Sequence, residues 1–163
     1  SDHAFKYKNL FVRADIIEKN GNNINLLEVK SKSFDGNDYH DMLSKKGFID
    51  SAWRDYVYDV AFQKYIIKKA YHDWNIHAFL VLADKNSVAT VDGLNQKFQL
   101  KTVEDERTIV EIVGDVSPEG LGAEVLIRVC VDDLIEKIFN VTDTLNTHEQ
   151  SFVDNVNFLA DMY

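Results

Sequence analysis

Apolar and polar residues alternate over most of the first thirty positions. His3 to Lys8 alternates weakly and predicts a strand, with a turn at Lys8-Asn9. Leu10 to Lys19 predicts a longer strand, with Val12, Ala14 and Ile16 on one side and Phe11, Arg13, Asp15 and Ile17 on the other. Asn20-Gly21-Asn22-Asn23 predicts a hairpin turn, because Asn and Gly tolerate the positive φ of two-residue turns. Ile24 to Ser31 is the return strand. Phe34 to Asp50 is polar and predicts a loop holding one short helix, Tyr39 to Lys46. The period then changes. Trp53, Tyr56, Val57, Val60, Ala61 and Ile67 recur at helical spacing and predict a helix over Ser51 to Tyr71. Asp50 or Ser51 suits its N-cap, and Lys68 and Lys69 suit the negative end of its dipole.

Ile76 to Ala83 is a short, nearly continuous apolar run of the kind found in buried strands. Phe98 to Val103 and Thr108 to Val113 predict a further strand pair, and Asp115 to Ala123 a loop. Val131 to Leu145 is amphipathic. Thr147-His148-Glu149-Gln150 has capping-box spacing ahead of a helix carrying Phe152, Val156, Leu159 and Tyr163 on one face. Strands, helix, strands and helices in that order make the class mixed α and β.

Composition narrows the function. A chain of 163 residues with 45% hydrophobic and 28% charged residues is sized for one globular domain, expected over 1–163. One cysteine, Cys130, excludes an internal disulfide or a cysteine-ligated zinc site, and its neighbours Val129 and Val131 suggest a buried small hydrophobe. The longest apolar run falls far short of the ~20 residues that span a bilayer. The first residues show no basic patch before an apolar stretch, so no membrane association and a cytoplasmic location are expected. Ser1 in place of an initiator methionine suggests a segment of a longer protein with further domains, or a processed chain. The net charge is -9, unevenly placed. Residues 1–100 carry 14 Lys and Arg against 13 Asp and Glu, whereas 101–163 carry 4 against 14. The acidity weakens a nucleic-acid reading mainly in the C-terminal third, since affinity for phosphate comes from Lys and Arg.

The hairpin carries the candidate chemistry. With Gly21-Asn22 as the turn, Asp15 faces Glu28 and Arg13 faces Lys30. With Asn20-Gly21 as the turn, Asp15 faces Leu26. Leu26, Glu28 and Lys30 share one side of the return strand, so both registers bring Asp15, Glu28 and Lys30 together with Arg13 beside them. Val12, Ala14, Ile16, Leu27 and Val29 then form the side that anchors to a core. Two adjacent carboxylates share a site at low cost only with a proton or cation between them. Hard oxygen ligands suit Mg²⁺, and a nearby lysine can stabilise charge developing on a phosphate. The five histidines, His3, His40, His72, His77 and His148, show no metal-ligand spacing. Trp53, Tyr56 and Tyr58 could stack on bases, but their helical spacing fits core and rim.

The stretch Arg13-Ala14-Asp15-Ile16-Ile17, followed by Leu26-Leu27-Glu28-Val29-Lys30-Ser31, resembles the PD-(D/E)xK nuclease superfamily, and its RecB-like branch in particular. The helix segment Asp59-Val60-Ala61-Phe62-Gln63-Lys64-Tyr65 is similar to that branch's glutamine-bearing helix. The resemblance covers roughly residues 5–83. It implies a restriction-endonuclease-like α/β core, a central mixed sheet flanked by helices, and a Mg²⁺- or Mn²⁺-dependent nuclease acting on DNA, or on RNA. Asp15 and Glu28 would bind the metal, with the Val29 carbonyl as a third ligand. Lys30 would be the catalytic lysine, and Gln63 would contact the nucleic acid. Ala14 replaces the motif's proline, and Ile67 stands where the branch often has tyrosine. The family's first core helix is expected to be missing, since this chain opens in a strand. The alternative is a catalytically inactive nuclease-like module with an interaction or regulatory role.

Overall fold

The computed structural model describes residues 3–102, 108–114, 117, 121–140 and 151–162. The chain opens with an antiparallel pair, β1 (His3–Tyr7) and β2 (Leu10–Ala14), in which Phe5 faces Val12 and Ala4 faces Arg13. Lys8 takes φ 52 in the connecting turn. The expected single strand from Leu10 to Lys19 is instead broken at Asp15. There the chain leaves β2 and enters β3 (Ile16–Asn20), which pairs with β4 (Asn23–Phe34). The β3–β4 register sets Ile16 opposite Leu27 and Asn20 opposite Asn23. The turn residues are therefore Gly21 and Asn22, and Gly21 supplies a positive φ of 60 at the first of them, the requirement of a type II′ hairpin.

Helix α1 (Ser51–Ala70) follows, and the Asp50 carboxylate caps it by accepting from the Ala52 N–H. It leads to β5 (Asn75–Asp84). The 39–46 helix expectation shrinks to one 3₁₀ turn, Tyr39–Met42, because Leu43 turns extended and bridges to Ile49. Strands β6 (Phe98–Thr102) and β7 (Thr108–Ile112) form the predicted strand pair, which is antiparallel. Strand β8 (Leu126–Cys130) precedes helix α2 (Asp132–Phe139), and helix α3 (Phe152–Asp161) ends the described chain. The central sheet is mixed and four-stranded, in the order β3-β4-β5-β8, and helices flank it.

The chain divides into two compact units, Ser1–Lys32 with Gly36–Leu82 and Arg128–Tyr163, and Ser33–Asp35 with Ala83–Ile127. In the first, α1 packs against β1, β2 and α2. Its core includes Ile24, Leu26, Val57, Val60, Ile66, Ile67, Leu80 and Leu134, each fully buried. Residues this apolar contribute about 1.5–3 kcal/mol each on burial. The second holds the β6–β7 pair, and its Asp84 carboxylate accepts from the Asn86 N–H and the Ser87 hydroxyl.

Several expectations are corrected. Val12, Ala14 and Leu27 are buried as anchors, but Ile16 is 43% and Val29 42% exposed. The bend at Asp15 resets the alternation, so Ala14 and Ile16 no longer share a face, and α1 covers the Ile24, Leu26 and Glu28 side of β4. Arg13 pairs with Ala4 rather than with Lys30, because β2 belongs to a different sheet. Cys130 is exposed, since β8 turns Val129 inward and Cys130 outward. The Thr147–Gln150 capping box and positions 141–145 of the predicted helix lie outside the described residues. Helix α3 has its own capping box, in which Ser151 and Asp154 bond reciprocally. Its buried stripe is Val156 and Ala160, leaving Leu159 exposed.

Candidate functional site

Three backbone facts place the site. Strand β4 alternates, so Leu26, Glu28 and Lys30 point to the α1 side. Continuing the β3–β4 register by one residue brings Asp15 beside Glu28. Helix α1 crosses this part of the strand with Tyr56, Asp59 and Gln63 on one face, at i, i+3 and i+7.

The side chains close into a ring. Lys30 Nζ donates to Glu28 Oε1 at 2.6 Å and to Asp59 Oδ2 at 2.8 Å. Gln63 Nε2 donates to Glu28 Oε2 at 2.9 Å and to Asp59 Oδ1 at 3.3 Å. Each carboxylate thus gives one oxygen to the lysine and the other to the amide. The Lys30 ammonium also lies 5.7 Å from the centre of the Tyr56 ring. Asp15 stands at the rim of this ring, its Oδ2 accepting the Val29 N–H at 2.9 Å.

Burial governs the electrostatics. Glu28 is one of two buried polar residues in the described core, and Gln63 is the other. Desolvation pushes the Glu28 carboxyl up, and the charge of Asp15 adds to this, while the bonds from Lys30 and Gln63 pull the other way. For Lys30, desolvation opposes the charge, but bonds to Asp59 and Glu28 outweigh it and push the ammonium up to about 12. Lys30 is therefore a fixed cation and hydrogen-bond donor at neutral pH. Gln63 Oε1 is buried and has no hydrogen-bond partner among the described residues. Reversing the amide would set that oxygen against two carboxylates, so the orientation follows from the acceptors around it.

Of the sequence-derived candidates, Glu28, Lys30 and Gln63 meet directly, and Asp15 adjoins them through β4. Val29 contributes its backbone, since its side chain faces outward. Gln63 is turned into Glu28 rather than toward solvent. Sequence reading missed Asp59, although its i, i+4 spacing to Gln63 was available as a signal. Among the described residues, no group of three or more His, Cys, Asp or Glu side chains is placed to hold a metal ion. A cation here would rest on Asp15 and Glu28, with neutral oxygens completing its shell.

Beside the ring, Lys32 extends the cationic line of β4. Its ammonium lies 4.3 Å from the Trp53 ring centre and 5.3 Å from that of Tyr56, and it donates to the Ala52 carbonyl. Trp53 is buried and Tyr56 half-buried, so these rings act as walls for the lysines. A second polar cluster lies elsewhere in the same unit. Asp132, at the start of α2, accepts from Lys64 Nζ (2.7 Å) and the Ala78 N–H (2.9 Å) through one oxygen, and meets His77 Nδ1 (2.9 Å) through the other. All these groups are partnered, and they fasten α1, β5 and α2 together.

Compared with protein-family models, with curated proteins and with solved structures, the chain matches none of them.

Proposed function

We propose that this chain is a metal-dependent nuclease domain of the PD-(D/E)xK type, with a restriction-endonuclease-like core, hydrolysing phosphodiester bonds in DNA. The observation that carries the reading is the convergence of Glu28, Lys30 and Gln63 at hydrogen-bond distance, two from adjacent positions on one strand face and one from the following helix. Asp15 beside Glu28 supplies the second carboxylate. Desolvation and like charge both raise the cost of an ionised Glu28, which a bound cation offsets. Asp15 and Glu28 would hold Mg²⁺ or Mn²⁺, with the Val29 carbonyl and water, and the ion would supply Lewis-acid polarisation of the scissile phosphate.

The chain's own residues have separate tasks. Lys30, permanently charged, donates to the phosphate oxygen on which negative charge develops. Gln63 fixes the Glu28 carboxylate. Lys32 adds a positive charge next to Lys30, where the backbone of a nucleic acid would run.

The test is cleavage of end-labelled single- and double-stranded DNA, and of RNA, with Mg²⁺ or Mn²⁺. Wild type is expected to cut DNA, and Lys30→Ala to fold, bind and fail to cut. Equal cutting by both overturns the mechanism. The acidity of residues 101–163, with 4 Lys and Arg against 14 Asp and Glu, favours the other reading, an inactive nuclease-like interaction module. Failure of wild type on every substrate would make that alternative the better reading.

A further inference from the structure

We infer that Asp59 is a positioning residue that holds Lys30 and Gln63 in place for the chemistry at Glu28, an inference that rests on the nuclease reading above. The geometry is specific. Both oxygens of Asp59 are used, one by Lys30 at 2.8 Å and one by Gln63 at 3.3 Å, and these are the two donors that occupy both oxygens of Glu28. The helix supplies Asp59 and Gln63 one turn apart, so the pair moves as one rigid element.

An untethered lysine on a strand keeps four free torsions, and with Glu28 as its sole acceptor Nζ could swing about that carboxylate. The second acceptor across the ring fixes Nζ between α1 and β4, at a defined distance from the Glu28 oxygens. Gln63 gains the same benefit, since a single amide nitrogen satisfied on two sides cannot rotate away from Glu28. The Asp59 side chain bonds to these two donors at the edge of the ring and is 44% exposed. Its removal therefore opens no cavity in the core, and an effect on the site is separable from an effect on folding.

The test uses Asp59→Asn and Asp59→Ala in the full chain, with two independent readouts. The first is hydrogen exchange of the Lys30 ammonium, followed by ¹⁵N NMR on lysine-labelled protein and assigned with Lys30→Arg. Two carboxylate acceptors protect that ammonium in wild type, and the expected result is at least about tenfold faster exchange in Asp59→Ala, which leaves one. The second is single-turnover cleavage of DNA with Mn²⁺, alongside DNA affinity measured in Ca²⁺. The cleavage step is expected to fall about 10²-fold, the usual cost of a misplaced catalytic group, with affinity unchanged. Unchanged exchange overturns the tether. Unchanged cleavage, or a loss of affinity that accounts for the loss of rate, overturns the positioning role. Should wild type fail to cut, the nuclease reading fails by itself, and the exchange result alone decides whether Asp59 holds Lys30.

Discussion

The Asp15 carboxylate accepts the Val29 amide proton at 2.9 Å across the point where the chain passes from one sheet to the other. One carboxylate thus serves two purposes. It closes the bend between β2 and β3, and it stands beside Glu28 as the second acidic group of the site. Asp15→Asn keeps an acceptor for Val29 and removes the charge, whereas Asp15→Ala removes both. Mn²⁺ affinity, read by calorimetry, is expected to drop sharply in both variants and in Glu28→Ala. Equal affinity in wild type and all three would show that no cation rests on this pair.

Lys30→Ala separates catalysis from architecture. Loss of a donor aimed at developing charge typically costs about 10²–10³ in rate. The same change leaves the buried Glu28 without its counter-charge, and an unsatisfied group of this kind costs about 1–3 kcal/mol. The expected outcome is a lower melting temperature that still leaves the chain folded at 25 °C, retained DNA affinity, and no cleavage. Retained cleavage would remove Lys30 from the mechanism.

Stability should depend on pH through Asp132. Burial alone would raise this carboxyl, but Lys64, the Ala78 N–H and His77 together hold it below the ordinary carboxylate range. A folded-state pKa below the unfolded value means stability that is present above the unfolded value and lost as pH falls through the folded one. Asp132→Asn is therefore expected to destabilise the chain by about 1–3 kcal/mol at pH 7. The gap between the two proteins should close as pH drops below about 4, the unfolded aspartate range. Melting curves of both proteins from pH 7 to pH 3 check this, and a constant gap would contradict it.

Gly21 offers a purely conformational test. A Cβ there meets nothing within 4 Å, yet φ is 60. Gly21→Ala is expected to cost about 1–2 kcal/mol from the left-handed backbone alone. Denaturant unfolding should show that loss with no change in the slope m. No loss would mean that the hairpin relaxes to another turn type.

Much of this arrangement is legible in the amino-acid sequence. The hairpin, the helix over Ser51–Ala70 and the β6–β7 pair follow from period, turn residues and caps, which are local signals, whereas the choice between the two hairpin registers is made only by the β3–β4 pairing itself. The break at Asp15 is not legible there, because the alternation of Leu10 to Lys19 continues through it and the reason to bend is a distant acceptor relation with Val29. Strand β8 is hidden because Leu126 to Val131 merges with the apolar stripe of the helix after it. Asp59 escapes attention for a general reason. An exposed aspartate on an amphipathic helix reads as a solvated residue, and its partners lie 29 residues away at Lys30 as well as one turn on at Gln63.

The strand order β3-β4-β5-β8 has a consequence for synthesis. Residues up to 84 deliver three neighbouring strands of the sheet, but the neighbour that covers the outer edge of β5 arrives more than forty residues later, when the Val131 N–H reaches the Ala78 carbonyl. Until then, a strand carrying Ile76, Ala78, Leu80 and Leu82 presents open backbone groups to other chains. Such an edge is a template for mispairing. A chain emerging from the ribosome therefore passes through a vulnerable interval that ends only when β8 docks, and a fragment cut after β5 would keep the motif-bearing strands while aggregating through the edge that β8 normally closes.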